Sequence, residues 1–185
     1  MITRTPWLPL GLVLAAMFAG HASAQKDKDE FNSKVIGFAR KSIGNQVGDG
    51  ECATLATEAF KEAGAKGHGE YKDSPKDGDY VWGALVYGLE IAPTLRTEST
   101  PVGTTVKPGD IIQFRDAKFA GKQGGGTYSS EAPHHTAVII SVGKDGRTIE
   151  VLQQNVNGKK TVAAATVKLN DLQSGWVKVY RPQKP

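Results

Sequence analysis

The single cysteine of the chain, Cys52, has the setting of a nucleophile. The segment Gln46-Val-Gly-Asp-Gly-Glu-Cys52 precedes a helix-forming run, and Asp49 is the expected N-cap, which places Cys52 in the first turn. Backbone amides and the dipole at a helix N-terminus favour a thiolate over a thiol. A cysteine nucleophile also needs a base to take its proton.

The base and its partner come from the second half of the chain. His135, the second of two adjacent histidines, begins a predicted strand and can take the proton of Cys52 or hold it as an imidazolium. The carboxamide oxygen of Asn155 can accept the other ring N–H and fix the tautomer. Gln46, with the Cys52 backbone N–H, can donate to a developing oxyanion. We therefore predict a Cys52–His135–Asn155 site, with Gln46 and Gln153 as supporting residues.

The predicted meeting of His135 with Asn155 depends on the turn between two strands. A three-residue loop at Lys144-Asp-Gly146 places Gly146 at the left-handed position of a bulged turn. Counting outward from that loop, His135 falls directly opposite Asn155, and Gln153 lies diagonally on the same face. Directly opposed side chains on one face have Cβ atoms about 5 Å apart.

A two-residue Asp145-Gly146 turn is the alternative. It would place Val156 opposite His135 and make Gln154, not Gln153, the diagonal neighbour. A slip of one residue exchanges the two faces of a strand. We favour the first register because it pairs an imidazole with an amide, and the sequence leaves both open.

Two helices followed by an antiparallel sheet must position these residues. Apolar residues recur at helical spacing from Phe31 to Ile43, and the second helix is predicted from about Gly50 to Ala63. The apolar, aromatic run 80–91 favours a strand, and 97–105 a loop. The glycine-rich segment 120–132 is predicted to be a mobile edge near His135. The remaining predicted strands are 111–115, 136–142, 148–155, 161–169 and 176–180. This order predicts an α+β domain.

The first residues have the pattern of a secretory signal peptide. Arg4 supplies a positive charge, Leu8 to Ala19 is an apolar stretch shorter than a membrane span, and Ala24 closes a small-residue cleavage site. We predict a leader at residues 1–24 and a single domain at 25–185, in a secreted or periplasmic protein without stable membrane insertion. An unpaired cysteine in an exported protein indicates a reactive thiol, and its alternative interpretation is a small buried apolar residue.

The composition predicts few partners. A net charge of +4 is a small excess that suits an anionic cell surface, and the chain lacks the basic and aromatic pattern of a nucleic-acid-binding protein. The spacing of its histidines and cysteine fits no zinc motif. We expect no cofactor or metal, no nucleic-acid partner, and a monomer.

From about Gly44 to Tyr180 the chain resembles the CHAP family, the cysteine, histidine-dependent amidohydrolases and peptidases related to the NlpC-type wall peptidases. Each motif is weak alone, and their order and spacing are more specific. The motifs are Gly50-Glu-Cys52 before a helix, Lys107-Pro-Gly-Asp110 before Ile-Ile-Gln-Phe, His134-His135-Thr-Ala-Val-Ile, and Val151-Leu-Gln-Gln-Asn155-Val-Asn-Gly158.

The resemblance implies a reduced papain-like fold and cleavage of amide bonds, commonly in peptidoglycan or its cross-links and sometimes in glutathionylspermidine. The chain departs from the family pattern at two positions. Gln153 stands where the family often has a carboxylate as the partner of the histidine, and Ala53 replaces the aromatic residue that often follows the nucleophile. Asn155 matches a family asparagine.

Three functions remain open at this point. The first is an exported cysteine amidase or endopeptidase that cleaves peptidoglycan peptides through a thioester. The second is a catalytically weak module of the same fold that binds wall peptide or glycan. The third is an acyltransferase, in which an amine resolves the thioester in place of water.

Overall fold

A computed structural model describes residues 30–74, 79–101 and 104–185. The predicted leader at 1–24 lies outside these ranges. The described chain begins in helix α1, at 30–41, and continues to helix α2, Cys52–Ala63. The seven strands that follow are β1 (Ala84–Ala92), β2 (Leu95–Ser99), β3 (Ile111–Gln123), β4 (Gly126–Val142), β5 (Thr148–Gln153), β6 (Ala163–Lys168) and β7 (Leu172–Arg181). Short 3₁₀ helices occupy His68–Glu70 and Leu169–Asp171.

All seven strands form one antiparallel sheet in the order β2-β1-β7-β3-β4-β5-β6. The α+β class predicted from the sequence is confirmed, with helices first and sheet after. β4 carries His135, and β3 pairs with it there, with Phe114 opposite His135, whereas β5 pairs with β4 only from Val138 to Val142.

Helix α2 packs on one face of this sheet through its apolar side. Its buried residues are Leu55, Ala56, Ala59, Phe60 and Ala63, which match the predicted apolar face. They join a core that includes Trp82, Ile111, Val138 and Leu152. Gly64 ends the helix in the left-handed conformation, with φ of 68°, as expected for a glycine C-cap.

The sheet has a second core on its other face, because β-strand side chains alternate in direction. In β4, Val138 packs with the helices, whereas Ile139 packs with Phe114, Val151 and Val179 on the opposite face. His135 shares this second face, since it lies an even number of residues from Ile139. The site therefore has to join a helix on one face to a histidine on the other.

The Pro-Gly-Asp turn before β3 is a structural joint. The buried Asp110 carboxylate forms a bidentate pair with Arg181 of β7, at 3.0 and 2.9 Å, and accepts a hydrogen bond from Asn32 of α1 at 3.1 Å. Gly109 has φ of 87°, and a Cβ there would lie 2.6 Å from the backbone of Asn32. This motif therefore joins α1, β3 and β7.

The segment predicted to be a mobile glycine-rich edge is instead part of a long β-hairpin. Strands β3 and β4 pair from Ile111↔Val138 to Gln123↔Gly126, and only Gly124 and Gly125 form the turn. The prediction was wrong because the other glycines extend strands whose backbone is fully paired. Gly121 also allows close packing, since a Cβ there would lie 2.3 Å from a carboxylate oxygen of Asp171.

Two smaller predictions also change. The run 80–91 becomes a strand only from Ala84, and the predicted loop at 97–105 contains the end of β2. β2 is an exposed edge strand paired with β1 on one side only. It has no buried face, so apolar alternation could not reveal it.

Candidate active site

The β4–β5 hairpin combines both registers that the sequence left open. Near the turn, Val142 pairs with Ile149 and Ser141 with Glu150, in the alternative register. A bulge between Ile139 and Ser141 then shifts the pairing to the favoured register, with Ile139 opposite Val151. A bulge adds one residue to one strand, so a count from the turn alone could not settle the faces.

Pairing between β4 and β5 stops at Val138↔Leu152, and this leaves the edge of β4 open beside His135. The N-terminal end of α2 occupies that edge. The thiol of Cys52 accepts a hydrogen bond from the backbone N–H of Thr136. The candidate nucleophile therefore lies against the residue that follows the candidate base.

Gln154 holds the loop that leads to Cys52. Its buried carboxamide accepts a hydrogen bond from the Val47 N–H at 3.1 Å and donates to the carbonyls of Val47 at 3.1 Å and Glu51 at 2.7 Å. Glu51 directly precedes the nucleophile, so the end of β5 fixes the start of α2. Sequence reasoning considered Gln154 only as an alternative neighbour of His135, and buried glutamines have no local signal that reveals such a contact.

The orienting contact predicted for Asn155 is made by Gln153. The His135 ring is 9% exposed, and its Nε2 lies 2.9 Å from Oε1 of Gln153. Because a carboxamide oxygen only accepts, Nε2 carries the proton in this contact and Nδ1 is left as the basic nitrogen. Gln153 was predicted as a diagonal neighbour on this face, and its longer side chain reaches the ring.

Asn155 has a different contact because the chain leaves the sheet after Gln153. Asn155 adopts φ of 61°, and its Nδ2 donates to Oε2 of Glu51 at 2.7 Å. The other Glu51 carboxylate oxygen is 3.2 Å from Nζ of Lys160, which also donates to the Asp49 carbonyl at 3.0 Å. These contacts tie the segment after β5 to the residues before Cys52.

Gln46 lies in the loop before Cys52 but is exposed. Its Nε2 donates to the carbonyl of Gly48 at 3.0 Å, and its Cδ lies 3.0 Å from the position of a Cβ on Gly50. Gly50 has φ of 82°, so both its conformation and this close approach favour glycine. The oxyanion role of Gln46 stays a prediction.

The predicted N-cap is also revised. Helix α2 begins at Cys52, with Glu51 at the N-cap position and without a side-chain cap. Asp49 instead accepts from the Glu51 N–H at 3.0 Å and the Thr54 hydroxyl at 2.6 Å. As the first helical residue, Cys52 has a backbone N–H without an intrahelical acceptor, which suits an oxyanion donor.

Burial sets the protonation of the pair. It raises the pKa of Cys52 above its ordinary value, despite opposing hydrogen bonds from the Thr136 and Ala53 amides. It also lowers the pKa of His135, although the Gln153 hydrogen bond acts in the opposite direction. The helix N-terminus alone predicted a thiolate, but desolvation favours the neutral forms of both groups. Both shifts therefore favour a thiol and a neutral imidazole in the free site.

A cleft of ≈ 390 Å³ adjoins His135 on the sheet face away from the helices. Its lining includes His135, Gln153 and Asn155, together with Phe114, Phe119 and Tyr128. A substrate that reaches the base from this side would lie in the cleft.

Two absences hold for the described ranges, one of metal-ligand groups and one of membrane-spanning helices. Within 30–74, 79–101 and 104–185, the side chains form no group of three or more His, Cys, Asp and Glu residues able to hold a metal ion. The helices of these same ranges include none that is long and apolar enough to cross a membrane.

Two solved structures align with this chain at low identity. A crystal structure of Ly7917 covers 81% of this chain and 62% of its own, with 16% identity and a TM-score of 0.47. A crystal structure of Ly7917 with the hydrolyzing product of MDP covers 82% of this chain and 63% of its own, with 16% identity and a TM-score of 0.48.

Two fungal proteins match most of the chain. Altered inheritance of mitochondria protein 3 of Debaryomyces hansenii is 26% identical over 157 residues, and SH3 domain-containing protein C23A1.17 of Schizosaccharomyces pombe is 30% identical over 155 residues. These alignments cover 84% and 82% of this chain but only 16% and 9% of the relatives, which are far longer.

The chain also matches the model of a cysteine proteinase-fold family, and this match agrees with the papain-like arrangement of a cysteine at a helix start and a histidine on the sheet. The papain-like cysteine proteinase fold implied by the CHAP resemblance is thus confirmed, and membership of the CHAP family itself stays a prediction. Because the family match extends over residues 21–184, this chain belongs to the AIM3/BBC1 cysteine proteinase-fold domain family.

Proposed function

We propose that this protein is a cysteine amidohydrolase or peptidase, with Cys52 as nucleophile and His135 as base. The observation that carries the proposal is the contact of the Cys52 thiol with the Thr136 N–H, next to a histidine whose ring is held by Gln153. These three groups come from α2, β4 and β5, and each is fixed by contacts outside the site. A cysteine without a chemical role would not need to lie beside a histidine that is itself held in place by a carboxamide.

The chemistry starts from neutral groups. Nδ1 of His135 takes the thiol proton as the Cys52 sulfur attacks the carbonyl carbon of the amide. The backbone N–H of Cys52, with Gln46 after a side-chain rotation, donates to the oxyanion. The imidazolium then gives its proton to the leaving amine, and the acyl group remains on sulfur as a thioester. Water, deprotonated by His135, attacks the thioester, the C–S bond breaks to release the acid, and the imidazolium returns its proton to the sulfur of Cys52.

The substrate class follows from the CHAP resemblance. Amide bonds of peptidoglycan peptides are the first candidates, in a protein exported through the leader at 1–24. The small positive net charge, +4, suits an anionic wall.

The test compares the wild-type protein with Cys52→Ala on purified peptidoglycan, with released peptides and new amino groups as the readout. We expect release by the wild type and loss of release in the variant, at unchanged thermal stability. Cys52→Ser is the matched control for shape, and it should also be inactive because a serine hydroxyl is a weaker nucleophile. Equal release by wild type and Cys52→Ala would disprove the role of Cys52.

A binding module of the same fold is the second candidate. The raised pKa of the Cys52 thiol favours it, because a neutral thiol is a poor nucleophile without a substrate to trigger proton transfer. If the wild type and Cys52→Ala bind peptidoglycan equally and neither releases peptides, the binding module replaces the enzyme. The products formed with an added primary amine separate the third candidate, since an acyltransferase yields mainly the new amide, whereas a hydrolase yields mainly the free acid.

A further inference from the structure

Two parts of the sheet, here called its arms, line the cleft beside His135: the β3–β4 hairpin and strand β6. The β3–β4 hairpin supplies Phe119 and Tyr128, and β6 supplies Ala165 and Val167. Its volume of ≈ 390 Å³ is within the range of small-molecule sites, and it ends at the residues of the candidate site. A substrate group in this cleft would lie next to His135 and Gln153.

Hydrogen bonds between the arms hold the cleft open. The Tyr128 hydroxyl donates to Oδ2 of Asp171 at 2.7 Å, and Nζ of Lys168 donates to the carbonyl of Lys122 at 3.2 Å. Both contacts join the hairpin to the end of β6 or the 3₁₀ helix after it. The cleft is therefore formed before a ligand arrives, which lowers the entropic cost of binding.

The floor of the cleft is aromatic. Phe114 and Phe119 pack edge to face beneath the cleft, with ring centroids 6.1 Å apart. Of the charged residues that line it, Glu131 is 3.1 Å from Nζ of Lys118, and Lys168 keeps its positive charge while it donates to a carbonyl. An apolar side chain would gain contact with the rings, whereas an acidic side chain would lose water and have Lys168 as its counter-ion, so the two kinds of side chain are compared directly below.

We propose that the cleft binds a bulky apolar side chain, aromatic or branched aliphatic, of a residue that flanks the scissile amide. This inference rests on the proposed hydrolase function and narrows its substrate class. It favours amides with a large apolar neighbour over wall peptides in which the neighbours are small or acidic.

The experiment uses two sets of internally quenched peptides. In each set the residue on one side of the cleaved bond is Phe, Leu, Ala or Glu, and the rest of the peptide is unchanged. At one of the two positions we expect kcat/KM for Phe or Leu to exceed that for Ala and Glu by about tenfold or more, as for added methylene groups in an apolar pocket. Equal values, or a preference for Glu, would overturn the proposal.

Ala165→Phe fills the cleft from β6. It should lower kcat/KM for the Phe peptide by about tenfold and leave the Ala peptide unchanged. Ala164→Phe is the matched control, because Ala164 is exposed, lies on the other face of the same strand and is outside the cleft. If circular dichroism shows that Ala165→Phe is unfolded, Ala165→Leu replaces it. Equal effects of both substitutions on the Phe peptide would count against the cleft.

A binding measurement separates the cleft from the catalytic proposal. Acetyl-phenylalanine amide and acetyl-glutamate amide are titrated into Cys52→Ala, and the NMR signals of the His135 ring and the Gln153 side-chain amide are followed. Saturable shifts with the first ligand alone, together with a wild-type protein that cleaves no peptide, would keep the cleft and reject the hydrolase. Cleavage without any side-chain preference would keep the hydrolase and reject the cleft, and no shift with either ligand would reject it too.

Discussion

At the scale of single residues, three consecutive side chains organise the candidate site. Gln153 contacts the His135 ring, Gln154 holds the backbone on both sides of the loop before Cys52, and Asn155 bonds to Glu51. Alternation along the strand sends the first two to opposite faces. One short segment therefore fixes the base and the nucleophile relative to each other.

Replacing Gln153 tests the orientation of the base. Gln153→Leu should lower kcat by about tenfold or more, because the tautomer with a basic Nδ1 is no longer favoured. This loss is a part of the roughly 10²–10⁴-fold that general acid–base catalysis contributes in total. Gln153→Glu should restore most of the rate and raise the pKa of His135, since a carboxylate stabilises the imidazolium. The acid limb of kcat/KM against pH should then move to higher pH. A Gln153→Leu enzyme with unchanged kcat would contradict this role.

The protonation of the free site can be measured by alkylation. Because burial raises the pKa of Cys52, the rate with iodoacetamide should rise only above the pH expected for a free thiol, about 8.5. The lowered pKa of His135 keeps its ring neutral to lower pH, so no low-pH plateau from a thiolate–imidazolium pair is expected. His135→Ala should leave the profile nearly unchanged. A plateau below neutral pH that disappears in His135→Ala would show an ion pair instead.

At the scale of the elements, helix α2 is placed by contacts along its apolar side and by the loop before its first residue. Its apolar side is buried against the sheet, and its first residue follows a loop that the end of β5 holds. The Pro-Gly-Asp turn joins α1, β3 and β7 through a buried ion pair, Asp110–Arg181. The motifs that resemble a cysteine peptidase thus include one that is structural and distant from the chemistry.

Removal of the Gln154 carboxamide should destabilise the fold. Gln154→Met retains the approximate shape but leaves the buried N–H of Val47 without a partner, which costs about 1–3 kcal/mol. It also removes one of the two hydrogen bonds to each of the Val47 and Glu51 carbonyls. Urea denaturation of this variant measures the loss. Gln153→Met is the matched control on the neighbouring position, and we expect it to lower activity with a smaller loss of stability. If Gln153→Met is the more destabilising of the two, the assignment of Gln154 is incorrect.

The Asp110–Arg181 pair gives a second test at this scale. Arg181→Met leaves the buried carboxylate unpaired and should cost about 3–5 kcal/mol in the free energy of unfolding at neutral pH. Burial already raises the pKa of Asp110, so the loss should shrink as the pH is lowered and the carboxyl becomes neutral. Arg115→Met, which breaks the more exposed pair with Asp79, should cost about 1 kcal/mol or less. Equal losses at all pH values would contradict this account.

At the scale of the whole molecule, the β3–β4 hairpin contacts the 3₁₀ helix that follows β6. The close approach of Asp171 to Gly121 and the hydroxyl of Tyr128 fixes this contact. The two faces of the sheet differ, since the helices pack on one face and the cleft lies on the other. Residues distant in sequence thus form the approach to the candidate base.

Gly121→Ala tests this long-range contact. The added methyl would collide with the carboxylate of Asp171, so this side chain must move and release the Tyr128 hydroxyl, at a cost of about 1 kcal/mol. Gly126→Ala is the control, since its Cβ would approach only the Gln123 carbonyl, at 3.8 Å. Thermal denaturation should show a lower midpoint for Gly121→Ala alone. Identical midpoints for the two variants would mean that the hairpin accommodates the methyl without loss.

The sequence by itself determined the fold class, the apolar face and C-terminal end of α2, and the residue types of the candidate site. These features depend on local periodicity, on Gly64 at a helix end and on residue chemistry, all of which can be read within a few positions. The tertiary structure decided which carboxamide meets His135, because a bulge after Ile139 selects the face of Gln153 and the chain then leaves the sheet, which places Asn155 against Glu51. It also decided the direction in which the pKa of Cys52 shifts, since desolvation depends on the whole packed environment and outweighs the hydrogen bonds that lower this pKa.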